Sequence, residues 1–248
     1  MDADAITERL RGLGFSSADA ATLTDHFVDA EARGKAGHGL SRVEWLAALP
    51  DLDPEARPER VLAEEGFERW HGRGALGYLT LSAICDAQLE SPPLHARVVV
   101  AQQCFPTGML GYWVRRLAEG GLAAALTATS PPRLSHPEGG PKLAGTNPLA
   151  IGIPSSDGRP VITDVSWGRI THGDVIAGLA RPEELVAFGG EHAHKAFAAA
   201  VGLQLLVDAL VADGYGAVLL VARPQADPVP ALRERAAGLR LPGDRPRR

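Results

Sequence analysis

Cysteine is almost missing from this chain: Cys85 and Cys104 are the only two among 248 residues. Two thiols are too few for a disulfide scaffold or a cysteine zinc site. A surplus of positive charge is missing as well. Lys and Arg number 25 against 30 Asp and Glu, a net charge of −5, and no dense basic block occurs before Arg245-Pro246-Arg247-Arg248. Nucleic acid is therefore excluded as the main partner, because that binding draws most of its affinity from clustered cations. No apolar run is read as approaching the roughly 20 residues that span a bilayer, so no membrane partner is expected. The start, Met1-Asp2-Ala3-Asp4, has neither the basic nor the apolar region of a signal peptide, and a cytoplasmic protein is expected. Three signatures are also wanting. No Gly-x-Gly-x-x-Gly is expected to follow a strand, and neither a P-loop nor a Gly-x-Ser-x-Gly elbow occurs.

What is there describes an ordinary globular chain, 45% hydrophobic and 22% charged, long enough for a sizeable core. Ile6, Leu10 and Leu13 share one helical face, and Ser16 or Ser17 caps a second helix carrying Leu23 and Phe27. Residues 47–75, with Pro50, Pro54, Pro58 and many charges, read as a surface connection with one short helix. A buried small-residue helix is expected over 75–89, a strand through Val98-Val99-Val100, a helix through Leu110, Val114 and Leu117, and a strand over 122–129. Leu149–Ile153 and Val161–Val165 flank a turn and form a hairpin signal, with Pro160 at a strand start. An apolar helix through Phe197, Val201 and Leu205 and a strand over 216–222 follow. This divides the chain into a helical segment at 1–73, an α/β core at 74–222 and a peripheral tail at 223–248.

Two stretches carry candidate chemistry. In Arg33-Gly34-Lys35-Ala36-Gly37-His38-Gly39-Leu40-Ser41-Arg42, glycines leave the His38 imidazole unshielded. If a helix starts after Gly39, Arg42 lies close to it. A guanidinium clamps a carboxylate while an imidazole handles a proton, so this pair suits an anionic substrate; a solvated connector is the plain alternative. The turn Gly145-Thr146-Asn147-Pro148 opens into an alternating apolar run. Proline is expected to push Asn147 toward extended geometry, aiming the Thr146 hydroxyl and the Asn147 amide at one bound group. His192 and His194 lack a third metal ligand, and no metal site is expected. Cys104 has no neighbouring histidine and reads as a buried structural cysteine.

Taken together, Arg33, His38-Gly39, Arg42, Gly139-Gly140, Gly145-Thr146-Asn147-Pro148, Asp164 with Gly173, and Gly189-Gly190 with His194-Lys195 resemble the landmarks of the malate/L-lactate dehydrogenase family of the non-Rossmann type. That family also includes ureidoglycolate dehydrogenases, diketogulonate reductases and cyclic imino-acid reductases. The resemblance runs from about residue 8 to 221. It implies an unusual α/β fold with a mixed, largely antiparallel sheet, packed helices and an N-terminal helical segment. It also implies NADH or NADPH as cofactor, a small carboxylate-bearing substrate and a homodimer. Hydride would pass to or from a 2-oxo acid, a 2-hydroxy acid or a cyclic imine. Carried over by position, His38 is the candidate acid/base and Arg42 the carboxylate clamp. Ser130, Gly145, Thr146, Asn147, Pro148, Asp164, Ser166, His194 and Lys195 are the cofactor-side residues.

The chain departs from that pattern at informative places. Where the family carries the histidine expected to move the proton, this chain has Pro106, which cannot titrate. Gly37 replaces a serine, Ala196 a glycine, and Gly173-Asp174 stands for Gly-Lys. The segment between Asp174 and Gly189 is shortened. Two readings follow: a working reductase using His38, or a scaffold turned to non-redox chemistry of the lyase or cyclase kind, or to a catalytically silent subunit.

Overall fold

Capping residues set the first two helices. In the computed structural model, which describes residues 2–244, α1 (Ala3–Gly12) starts at Asp2, whose carboxylate accepts the Ala5 N–H at 2.9 Å. The Ser16 hydroxyl does the same for Asp19 N–H at the start of α2 (Ser17–Ala32). Their inward faces bury Ile6, Leu10, Leu23, Phe27 and Ala30. A short turn leads into α3 (Ser41–Ala47). The basic end, Arg245-Pro246-Arg247-Arg248, lies outside the described residues.

Seven strands form the main sheet: β1 (Glu59–Ala63), β2 (Phe67–His71), β3 (Ala96–Gln102), β4 (Ala123–Ala128), β7 (Leu149–Ile153), β8 (Val161–Val165) and β9 (Ala217–Ala222). Their order is β1-β2-β3-β9-β4-β7-β8. Only β2 and β3 run parallel; every other neighbouring pair is antiparallel. Two short strands, β5 (Leu134–Ser135) and β6 (Lys142–Ala144), pair separately. The mixed, largely antiparallel sheet expected from the resemblance is what the chain forms.

Alternation along β3 shows how the layers are built. Val99 and Ala101 join the large core with α4 (Gly77–Glu90) and α5 (Leu110–Glu119). Val98 and Val100 face the other way and meet Val207 and Val211 of α7 (Ala193–Val211). The short α6 (His172–Ile176) docks on the turn before α3, and α8 (Val229–Ala236) lies in the tail.

Three expectations need correction. Residues 59–71 are a β-hairpin at the sheet edge, not a surface connection. Its inward position is taken by Glu68, 2% exposed, which ion-pairs with Arg97 at 3.2 Å and accepts the Trp70 indole N–H at 2.9 Å. A charge facing inward hides the apolar alternation that marks a strand. Because β2 is a strand, Gly72-Arg73-Gly74-Ala75-Leu76-Gly77 is a Gly-x-Gly-x-x-Gly that follows one and opens α4. It does not open to a phosphate. A Cβ at Gly77 would meet the Pro106 carbonyl oxygen at 2.7 Å and the Phe105 nitrogen at 2.8 Å, so the chain's own loop covers the helix start. Last, Gly190–Val211 is by length and composition apolar enough to cross a membrane, with a hydropathy of 1.4 over its window. Here α7 lies on β3, β4 and β9 and buries Ala196, Phe197, Ala200, Val207 and Val211.

Candidate active site

Beneath the turn at Ala36–His38 lies a cavity of about 320 Å³. Its walls come from that turn, α3, the loop 104–109, the ends of β4 and β8, and the start of α6. The sheet supplies strand ends and the helical segment closes over them, so residues far apart in the chain face one space.

His38 and Arg42 both line the cavity. Arg42 is 7% exposed, and its Nε donates to the Gly37 carbonyl at 2.8 Å, pinning the turn that carries His38. Its guanidinium also stacks on the Trp45 ring, 4.9 Å from the centroid. Among the described residues no carboxylate lies within ion-pair distance of it. A buried cation without a counter-charge is costly, which makes this a place prepared for an anion. Burial, then the charges of Arg42 and Lys35, push the His38 imidazole down to about 3. The ring is therefore neutral near pH 7, with Nδ1 buried and without a partner among the described residues.

The turn at 145–148 is built differently. Asn147 is fully buried with φ +32°, in the left-handed region rather than extended as the proline suggested. Its Nδ2 donates to the Ala200 carbonyl at 3.0 Å and to Gln204 Oε1 at 2.9 Å, both on α7, and Gly145 N–H donates to the same Gln204 oxygen. Asparagine tolerates this conformation, and the two bonds hold it there. The amide thus faces inward to α7. Thr146 and Pro148 line the cavity; Gly145 and Asn147 do not.

Ser130, Asp164 and Ser166 also line it. Asp164 Oδ2 accepts the Gly111 N–H at 2.8 Å at the start of α5, and burial pushes its carboxyl above the usual range. His194 and Lys195 are exposed at the start of α7, outside the cavity wall. The His192 and His194 rings lie 6.2 Å apart, and no cluster of three or more metal-ligating side chains occurs among the described residues. Cys104 is buried with its thiol pushed up by burial. A second, more open groove adjoins the cavity and contains Arg133, Lys142, Arg169, Gly189 and Gly190.

Among the lining residues not read as site residues from the sequence are Tyr78, Arg133 and His172. The Tyr78 hydroxyl is buried and has no partner among the described residues. Arg133 follows the strand-end Ser130 by three residues, and that proximity was the only local signal. Burial, then the charges of Arg133, Arg42 and Lys142, hold His172 at about 4.

A family model for malate/L-lactate dehydrogenase matches residues 3–190. The chain belongs to the malate/L-lactate dehydrogenase family. It is 28% identical over 190 residues to a 2,3-diketo-L-gulonate reductase of Citrobacter koseri, covering 73% of this chain and 54% of that protein. A (2R)-3-sulfolactate dehydrogenase (NADP(+)) of Chromohalobacter salexigens is 29% identical over 176 residues, covering 67% of this chain and 51% of that protein. The chain thus spans about half the length of these curated relatives. A solved delta1-piperideine-2-carboxylate reductase from Pseudomonas syringae shares the fold with a TM-score of 0.84 at 22% identity, covering 98% of this chain and 89% of that one. A malate dehydrogenase from Entamoeba histolytica does so with a TM-score of 0.82 at 18% identity, covering 98% and 86%.

As a member of the malate/L-lactate dehydrogenase family, the chain shows two coupled departures. A Cβ at Gly37 would meet Asp174 Oδ1 at 2.6 Å and the Asp174 nitrogen at 2.7 Å; one at Gly173 would meet the Gly37 oxygen at 2.1 Å and Arg42 Nη2 at 2.6 Å. The start of α6 packs so tightly on the Gly37 turn that a serine there would clash. Glycine at 37 and Gly173-Asp174 are therefore one packing solution. Pro106 stands in the cavity wall and brings no proton-carrying group.

Proposed function

We propose that this protein is an NAD(P)H-dependent oxidoreductase acting on a small 2-oxo acid, 2-hydroxy acid or cyclic imine. The observation that carries this reading is Arg42: a buried guanidinium without a carboxylate partner, beside a neutral imidazole, in a cavity of about 320 Å³. A substrate carboxylate fills the place of the missing counter-charge through two N–H···O bonds. Binding that anion also offsets the charge of Arg42, which after burial is the next cause of the lowered His38 pKa, so the imidazole regains part of its basicity when substrate is present. In oxidation His38 then takes the hydroxyl proton, and in reduction it returns it.

The residues suit a nicotinamide dinucleotide. Hydroxyls of Ser130, Thr146 and Ser166 line the cavity, and the adjoining groove offers Lys142 and Arg169 to phosphates. When bound, the cofactor supplies or accepts the hydride. Gly145, Asn147 and Pro148 act as the frame of that wall, with Asp164 anchoring α5 behind it. His194 and Lys195, next to the groove residues Gly190 and Ala193, serve the cofactor's outer part. We place this activity in the cytoplasm, in a homodimer. Leu205 and Leu206 on α7 and Leu220 on the same sheet face are 63%, 48% and 46% exposed, an apolar surface suited to a second copy.

Titration of the purified protein with NADH and NADPH, followed by nicotinamide fluorescence, tests the reading, and binding of at least one is expected. If neither binds at millimolar concentration, the dehydrogenase reading fails and non-redox chemistry of the lyase or cyclase kind takes its place. Turnover is then screened with 2-oxo acids and cyclic imines. His38→Ala is expected to lower kcat by about 10²–10⁴, the usual loss for a positioned acid or base.

A further inference from the structure

We propose that the substrate carries a second anionic group, a carboxylate or sulfonate, and that Arg133 is the residue that reads it. This rests on the function proposed above, in which Arg42 takes the first carboxylate. Arg133 lies just ahead of β5, and its backbone N–H donates to the Ala144 carbonyl of β6 at 2.8 Å. The small sheet thus fixes its Cα at the cavity wall. Its side chain is half-buried and lines the same cavity as Arg42.

Lys35, Arg42 and Arg133 line the cavity with Asp164 and Asp174; the charge of Lys35 acts on Asp164, which leaves the two guanidiniums as the groups that face the space without an ion-pair partner among the described residues. Arg42 and Arg133 both lack a carboxylate within 4.0 Å among the described residues. The cavity does contain two carboxylates, and both are engaged elsewhere. Asp164 accepts the Gly111 N–H, while Asp174 Oδ2 accepts the Thr171 N–H at 2.7 Å and its hydroxyl at 2.9 Å. Burial, and then repulsion from Arg42, lowers the pKa of Arg133, so the two cations sense each other across the space. His172, which also lines the cavity, is held neutral by burial and then by the charges of Arg133, Arg42 and Lys142, and adds no further charge. One carboxylate on Arg42 leaves the second guanidinium uncompensated in a half-buried place. A dianion satisfies both, and a planar guanidinium suits a planar carboxylate or a tripodal sulfonate equally well.

Arg133 also borders the groove with Lys142 and Arg169, where a cofactor phosphate is a second source of negative charge. Its place in the wall of the cavity that Arg42 and His172 also line favours the substrate, and the test separates the two. Calorimetry at constant ionic strength compares succinate with butyrate on the wild type, Arg133→Met and Arg133→Lys, without cofactor or turnover. Succinate is expected to bind about 10- to 100-fold more tightly than butyrate, since hydrogen bonds to charged groups are worth that much. Arg133→Met should erase the ratio, and Arg133→Lys should keep most of it. In turnover, Arg133→Met should lower kcat/KM for 2-oxoglutarate or oxaloacetate relative to pyruvate by a similar factor. Equal affinities in the wild type, absence of succinate binding, or an equal loss for both acids in Arg133→Met would each overturn the proposal. So would a weaker NADH or NADPH titration in Arg133→Met with the acid ratio unchanged, which assigns Arg133 to a cofactor phosphate. If neither nucleotide binds, the redox reading fails while the succinate comparison still decides this one. The melting temperature of each variant confirms that it is folded.

Discussion

Two short stretches, residues 33–42 and 145–148, both combine glycine with polar side chains and both border the same cavity, yet their polar groups are spent in opposite ways. In the first, Arg42 gives one N–H to its own turn and keeps the rest of its guanidinium toward the cavity without a counter-charge. In the second, Asn147 gives its amide N–H groups to Ala200 and Gln204, leaving the cavity to Thr146 and Pro148. Amide N–H groups spent on the chain itself brace the fold, although Asn147 Oδ1 stays buried and without a partner among the described residues. Groups left incomplete beside a cavity are available to a ligand.

Substitutions on the two sides should separate along the same line. The largest effect is expected for Arg42→Met: kcat/KM falls by about 10²-fold or more, as for truncation of one partner of a buried charge pair. Its unfolding free energy should change by only about 1 kcal/mol, the value of one lost hydrogen bond. If denaturant curves instead show a loss as large as for Asn147, Arg42 is a brace and the contrast disappears. Asn147→Ala should cost about 3 kcal/mol in stability, because it removes two hydrogen bonds to α7 and places a less tolerant residue at positive φ. Substrate KM measured on the surviving folded fraction should change little.

Gly37→Ala should cost about 2 kcal/mol from overpacking against Asp174, with α6 pushed away from the cavity mouth. Urea unfolding and substrate KM should move together, unlike in the two preceding variants. The smallest effect separates the stretches by pH. His38 and His26 titrate near 3 in the fold against 6.5 in the unfolded chain, His26 through burial and then the charge of His38. The unfolded chain therefore binds more protons between these values, and stability is lost as pH falls from about 6.5 toward 3. Each histidine contributes up to about 1.4 kcal/mol per pH unit. His38→Ala should reduce the slope by one proton, while Asn147→Ala should leave it unchanged, since residues 145–148 contain no titratable group. Asp164, raised by burial, opposes this trend in both proteins alike.

The reach of sequence reasoning can be judged from particular residues. Caps at Ser16, apolar alternation in Leu149–Ile153 and the spacing from Gly37 to Arg42 carry their structural meaning locally. The β1–β2 hairpin does not, because Glu68 occupies an inward position that Arg97 and Gln88, distant in the chain, help to make tolerable. The glycine fingerprint at 72–77 went unread for the same reason, and its meaning depends on the loop at 104–106 that seals it. Tyr78, Arg133 and His172 belong to no local motif. They share a wall only because the sheet order brings β4, β8 and the helical segment together.

By itself, then, the sequence determined the family, the mixed α/β architecture and the pair His38 with Arg42. The family and its architecture follow from the resemblance that the quoted motifs carry, and the pair from the spacing of neighbouring residues. Tertiary structure alone decided that Asn147 turns inward, that Gly37 and Gly173 must both be glycine, and that Arg133 lines the same cavity as Arg42. Each of these depends on which distant groups come within a few ångströms, where hydrogen bonds close, atoms collide and charges lose their water.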